Sequence, residues 1–206
     1  MIDHEFDKLL NINSGMERSL KPFLNYFPYE PTPYAVLELL ANEITLQPGD
    51  SIVDFGCGKG RLLFYLNLTF GVKALGIEMD EHLFKIAEQN RHQYLKRHPK
   101  SKEQLAFQHL RAEEYCVQPE NNKFYFFNPF SSKIFIKVIK NIMKSVEKKP
   151  RQVDLILYYP SIEYISYIEN RTSFQLTKEI KVIGEYEQNP SERILIYSHQ
   201  PFLINE

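Results

Sequence analysis

The chain has 206 residues, 43% of them hydrophobic, 25% charged and 14% aromatic, with a formal net charge of −1. That length holds one domain with a sizeable core and is short for two, the near-neutral charge argues against a strongly basic polyanion-coating protein, and 13 Tyr with 15 Phe argue against intrinsic disorder. No run of about 18 apolar residues spans a bilayer, no apolar leader opens the chain, and Cys57 and Cys116 alone make neither a disulfide framework nor a zinc cluster, which reads as a reducing, cytoplasmic setting with no metal site.

Residues 1–31 read as an irregular aromatic segment, with Phe23, Tyr26, Phe27 and Tyr29 close together. Thr32 suits an N-cap and Pro33 a first helical position, and a helix follows with Val36, Leu37, Leu40 and Ala41 on one stripe. Residues 47–50 read as a turn. Residues 51–55 form a short apolar strand that runs into Gly56-Cys57-Gly58-Lys59-Gly60, and helical spacing resumes through Leu62, Leu63, Tyr65 and Leu66. A second strand is expected over 72–78, a helix over 81–97, a third strand over 105–110 and a fourth over 123–127. Residues 132–148 give the clearest amphipathic helix, with Phe135, Val138, Ile139, Ile142, Met143 and Val146 at helical spacing. A fifth strand is expected over 153–159. Residues 174–182 and 193–198 read as a final antiparallel pair joined through 184–191. Strands alternating with helices imply βαβ units and a mostly parallel sheet covered on both faces. The expected architecture is a three-layer α/β fold of about seven strands with one late antiparallel strand, a single domain over 1–206 whose residues 1–31 lie over the mouth.

The segment Val53-Asp54-Phe55-Gly56-Cys57-Gly58-Lys59-Gly60-Arg61 ends a strand and begins a helix. Gly56 and Gly58 let the backbone turn sharply and approach a ligand, Gly60 allows close helix packing, and the helix start offers unpaired N–H groups. Asp54 can attract an ammonium group. Glu78, 22 positions after Gly56, ends the second strand, where an acid can accept from both ribose hydroxyls. The pattern G-x-G-x-G is one residue shorter than the dinucleotide fingerprint, and no GxxxxGK[ST] is present, which excludes a P-loop. The six histidines lie in no metal-like spacing, and no Ser/His/Asp set is present.

DFGCGKG followed by Gly76-Ile77-Glu78 resembles motifs I and II of the class I S-adenosylmethionine-dependent methyltransferases, and the order of elements over 32–200 resembles that family's Rossmann-like fold. The resemblance implies S-adenosyl-L-methionine as cofactor. Asp54, Gly56 and Gly58 would line its methionine part, with Thr32, Cys57 and Gly60 in the same group. Glu78 would hold the ribose, Met79 would lie against adenine, and Glu113 would meet the adenine amino group. Phe126-Phe127-Asn128-Pro129-Phe130 resembles the (Asp/Asn)-Pro-Pro-(Tyr/Phe) motif of methyltransferases acting on planar amino groups, one proline short. By that resemblance Asn128 would also border the cofactor and accept from the target nitrogen, and Phe130 would stack on the target. Tyr159, in Tyr158-Tyr159-Pro160 at the end of the fifth strand, borders the acceptor or is a rim aromatic. The run Tyr29-Glu30-Pro31-Thr32-Pro33-Tyr34 is loosely similar to the segment before motif I in protein-lysine methyltransferases of the Dot1-like group.

The reading is a methyltransferase acting on nitrogen, of a protein lysine, an RNA base or a small amine. The alternatives are a non-catalytic cofactor- or partner-binding module on the same fold and, against the glycine spacing, an NAD-dependent oxidoreductase. Two basic clusters, Lys96-Arg97-His98 with Lys100 and Lys144, Lys148, Lys149 with Arg151, either touch nucleic acid or are solvated helix ends. No membrane partner is expected, and oligomeric state is not legible.

Overall fold

The computed structural model describes residues 3–16 and 24–201, and Phe23 lies outside them. Its centre is a seven-stranded sheet: β1 (Ser51–Phe55), β2 (Lys73–Glu78), β3 (Leu105–His109), β4 (Lys123–Phe127), β5 (Val153–Tyr158), β6 (Gln175–Lys181) and β7 (Arg193–His199), in spatial order β3-β2-β1-β4-β5-β7-β6. All neighbours pair in parallel except β7, which runs antiparallel to both β5 and β6. The expected mostly parallel sheet with one late antiparallel strand is the fold observed.

Period-two alternation sorts the apolar side chains between two cores. Ile52, Tyr125, Ile156, Ile194 and Ile196 face one layer, made of α1 (Asp3–Leu10), α2 (Tyr34–Glu43), α3 (Arg61–Phe70) and α4 (Glu81–Arg97). Val53, Phe124, Phe126, Leu155, Leu157 and Tyr197 face the other, made of α5 (Ser132–Lys148) and α6 (Ile162–Arg171). Every residue of β1 is buried, as expected for a strand covered on both faces. The helix α5 lays Ile134, Phe135, Val138, Ile139, Ile142 and Val146 onto the sheet.

Two helices depart from the sequence reading. Residues 3–10 form α1 rather than irregular chain, because Phe6 and Leu10, one turn apart, are both buried and the Phe6 ring stacks on Tyr34 at 4.5 Å. The helix α6 starts where the Ser161 side chain accepts from the Tyr164 amide, and it buries Tyr164 and Ile168. Thr32 is not an N-cap. Pro33 holds that position with no side-chain cap, and the Thr32 hydroxyl instead lies 2.8 Å from the Tyr125 hydroxyl inside the core.

The topology also fixes where a ligand can sit. From β1 the chain builds outward through β2 to β3, then returns to pair β4 on the other side of β1. The carboxyl ends of β1 and β4 therefore flank the point where strand order reverses, the crevice used for ligands in open α/β sheets. Among the described residues, no helix is long and apolar enough to cross a membrane.

Candidate active site

At the carboxyl end of β1 the glycine turn folds back on β2. The amides of Gly56 and Cys57 both donate to the Ile77 carbonyl, at 2.9 and 3.2 Å. Gly56 and Gly58 have φ of 82° and 53°. A Cβ on Gly56 would stand 2.6 Å from Pro129, and one on Gly58 would stand 2.1 Å from the Tyr29 ring. The turn is thus roofed on one side by the loop after β4 and on the other by Tyr29.

Two buried carboxyls meet beneath it. Glu78 accepts from the Gly58 amide at 2.9 Å and from the Asp80 amide at 2.8 Å, and burial still pushes its carboxyl above the usual range. Asp54 is 5% exposed, and no hydrogen bond from a described residue reaches its carboxyl group. Burial first, and the Glu78 charge second, push Asp54 up to about 8. A buried acid without a donor carries an open desolvation cost, and a cation would offset it.

The ends of β4 and β5 are strained. Asn128 and Tyr159 adopt φ of 40° and 51°, left-handed conformations that a non-glycine residue takes at a cost. The Asn128 Oδ1 is buried and has no hydrogen-bond partner. The Tyr159 hydroxyl accepts from Asn189 Nδ2 at 2.7 Å, which fixes the ring. The segment from 24 to 30 crosses this corner, with the Phe27 amide donating to the Pro129 carbonyl at 3.0 Å and the Ser131 amide to the Asn25 carbonyl at 2.8 Å. Between them lies a cavity of about 350 Å³, walled by Tyr26, Phe27, Tyr29 and Glu30 from the crossing segment, by Gly56, Glu78 and Met79 from the β1 and β2 ends, and by Phe127, Asn128 and Tyr159.

A clamp holds the N-terminal chain beside the glycine turn. The buried Arg61 donates from Nε to Ser14 Oγ at 2.7 Å, and its other nitrogens reach the carbonyls of Thr32 and Ser14. Its guanidinium lies 4.5 Å from the Tyr34 ring centroid. Asp7 accepts from the Ser14 amide and hydroxyl and from Tyr34, while Asn90 bonds Asn13 and the Lys59 carbonyl.

A protein-family model described as a methyltransferase domain matches residues 33–157, well over half of the chain. The chain belongs to this methyltransferase family. Such a domain implies S-adenosyl-L-methionine as cofactor. The chain is 27% identical over 85 residues to a cyclopropane-fatty-acyl-phospholipid synthase of Escherichia coli (strain K12), covering 37% of this chain and 22% of that protein. It is 30% identical over 69 residues to a protein-lysine N-methyltransferase of Saccharolobus islandicus, covering 33% and 43%. The match thus spans less than half the length of either relative. The crystal structure of an RNA methyltransferase from Salinibacter ruber in complex with S-adenosyl-L-homocysteine superimposes with a TM-score of 0.58 at 17% identity, over 86% of this chain and 97% of that one. At this identity the likeness is one of fold, and the three proteins differ in acceptor.

Of the residues singled out in this methyltransferase's sequence, Gly56, Glu78, Met79, Asn128 and Tyr159 line the one cavity, and Asp54 stands two residues before it on β1. Others stand elsewhere. Phe130 is fully buried, edge-on to Phe126 and Tyr26, with its carbonyl accepting from the Tyr164 hydroxyl, so its ring is core and cannot stack on an acceptor. With one proline missing, the aromatic residue falls one position earlier than in the four-residue motif. Gly60 packs against Phe107 and Phe64, serving helix packing rather than the cavity wall. Cys57 is buried, and burial pushes its thiol up. Thr32 is spent on Tyr125. Glu113 accepts from the Tyr26 hydroxyl at 2.5 Å and so steadies a wall residue from behind. The cavity also takes Asp80 and Leu83, which sequence reading missed. Asp80 was legible as a cap, since it accepts from the amides of His82 and Leu83 at the start of α4.

Proposed function

We propose that this methyltransferase transfers methyl to a nitrogen on a planar acceptor, with Asn128 holding that nitrogen in place. The observation that carries the reading is the buried, unpartnered Asn128 Oδ1 on a strained turn in the cavity wall. A carbonyl oxygen accepts N–H bonds and offers none, so it selects an acceptor that brings a donor. A buried acceptor left without a partner costs about 1–3 kcal/mol, which an arriving N–H recovers.

The residues present fit the cofactor. The unpartnered carboxyl of Asp54 suits the ammonium of the methionine part, Glu78 suits the ribose hydroxyls, and Met79 and Leu83 offer apolar surface to adenine. When bound, the cofactor supplies an electrophilic methyl group on a sulfonium. The protein's own work is alignment and exclusion of water. Asn128 Oδ1 accepts from the acceptor's N–H and leaves the nitrogen lone pair facing the cavity. Phe127, Tyr159 and Tyr26 flank a flat ring, and aromatic walls favour such a ring over a flexible chain. Glu30, in the same wall, takes the proton that the alkylated nitrogen sheds, or passes it to water.

The test is transfer of tritiated methyl to separated RNA, protein and small-molecule pools, with Asn128→Gly beside the wild type. Glycine keeps the left-handed turn and deletes the amide. Label on nitrogen in the wild type, a loss of about ten- to hundredfold in kcat/KM in Asn128→Gly, and an unchanged Kd for S-adenosylhomocysteine are expected. Label on carbon or oxygen overturns the reading.

A further inference from the structure

The helix α5 begins three residues past Pro129, so it leaves directly from the loop that walls the cavity. Its apolar side is spent on the sheet. Its other side carries Lys133, Lys137, Lys140, Lys144 and Lys148, all exposed. At 100° per residue these five fall within an arc of roughly 80°, and at 1.5 Å per residue they run for about 22 Å. None of the ion pairs among the described residues involves them. From 131 to 151 seven Lys and Arg stand against one acid, Glu147, in a chain whose net charge is −1. Positive charge is therefore locally concentrated along this ridge. Arg151 is not part of that ridge, because its guanidinium is turned back on the carbonyls of Asn121, Ser145, Lys149 and Gln118.

Beside the ridge, between α5 and the end of α6, runs a groove of about 760 Å³ lined by Lys140, Lys144, Arg171, Tyr167 and the acids Glu147 and Glu169. Glu169 accepts from the Tyr197 hydroxyl and is turned to the sheet. Tyr167 is half-buried and offers an aromatic face next to three cations.

We propose that the α5 lysine ridge and its groove are a docking track for single-stranded RNA, which delivers the acceptor base to the cavity. The proposal rests on the nitrogen-transfer reading of the site and adds the class of molecule that carries the nitrogen. Lysines three and four residues apart are about 4.5–6 Å apart along the axis, close enough for successive phosphates of one strand to meet successive ammonium groups. A single linear track fits one strand, and unpaired RNA presents splayed bases that an aromatic wall can receive without base flipping. A tyrosine beside the cations offers a stacking surface for a base. An anionic membrane fits less well, because interfacial helices also present large apolar side chains to lipid. Here the apolar side of α5 is buried, and its exposed side carries lysines.

The full chain is titrated into a short, unstructured, fluorescein-labelled RNA over a range of salt, read by anisotropy. A triple variant, Lys137→Gln with Lys140→Gln and Lys144→Gln, is compared with Lys96→Gln/Lys100→Gln in the other basic cluster. With five lysines engaged, the slope of log K against log salt is about −3.5 for a single strand and falls to about −1.4 in the triple variant. Affinity at low salt should drop at least tenfold in the triple variant and hold in the control variant, with Kd for S-adenosylhomocysteine unchanged in all. Equal loss in both variants, no loss in the triple variant, tighter binding of single-stranded DNA of the same sequence, or preference for vesicles of phosphatidylcholine and phosphatidylserine each overturns the proposal. The two readings fail separately. RNA binding with no methyl placed on nitrogen sinks the nitrogen reading and spares the track, whereas methylation of free amines without RNA binding sinks the track alone.

Discussion

Asp54 is the residue on which pH acts most directly. Its carboxyl stands at about 8 in the folded chain against an ordinary 3.8. The folded state therefore holds a proton that the unfolded state gives up. The stability this group contributes is full below about pH 4 and is lost as pH rises through about 8, at up to ~1.4 kcal/mol per unit. Asp54→Asn removes that slope, so urea denaturation of the two ligand-free proteins across this window should diverge steadily. An ammonium ligand demands the opposite state, an ionised Asp54. Binding of S-adenosylhomocysteine below pH 8 should then release close to one proton and tighten with rising pH. Calorimetry in two buffers of different ionisation enthalpy counts that proton, and a count of zero contradicts a role for Asp54 at the ammonium.

At the scale of elements, the sequence was most legible where a periodic face is long. Helix α5 repeats its apolar face over four turns, and the structure starts and ends it where the spacing does. The strands β1 and β4 are equally plain, as short runs rich in β-branched and aromatic residues closed by a turn. The helices α1 and α6 were not legible, because each has only two buried anchors one turn apart, too few to separate a helix from loop chain. Residues 1–31 were expected over the mouth, but which side chains roof the site, and what they touch, was not legible. Tyr26 and Tyr29 stand far along the chain from Glu113 and Gly58, and only the fold brings them together. Arg61, a charged residue at the start of α3, is only 4% exposed and ties that helix to Ser14 and Thr32, which only the fold reveals. Arg61→Ala strands those acceptors and should cost about 1–3 kcal/mol. Because the lost bonds are local, the loss should show first as faster hydrogen exchange over residues 7–15, with the amides of β1 and β4 still protected. Exchange in 7–15 unchanged from wild type would mean that the clamp does not hold the segment.

For the whole molecule, the site is a seam between parts that meet only on folding. The switch point of the sheet supplies Gly56 and Asn128, the second strand Glu78, and the N-terminal chain the roof. A ligand that touches all three binds the folded state and leaves the unfolded one alone. At a hundredfold excess over Kd, such a ligand adds about 2.7 kcal/mol, and for a chain of this size that raises Tm by roughly 5–11 °C. S-adenosylhomocysteine should therefore shift the melting curve by that amount, and NAD at equal concentration should not, since the glycine turn is one residue shorter than the dinucleotide fingerprint. The same experiment read by hydrogen exchange locates the effect. Protection should rise in residues 24–30 and at the 56–60 turn together, because Tyr29 covers Gly58 and the Phe27 amide is bonded to Pro129. A Tm shift with protection confined to the turn would mean that the crossing segment stands aside from the ligand. In that case the acceptor would meet the cavity without the aromatic roof, and the preference for a planar ring would have to come from Phe127 and Tyr159 alone.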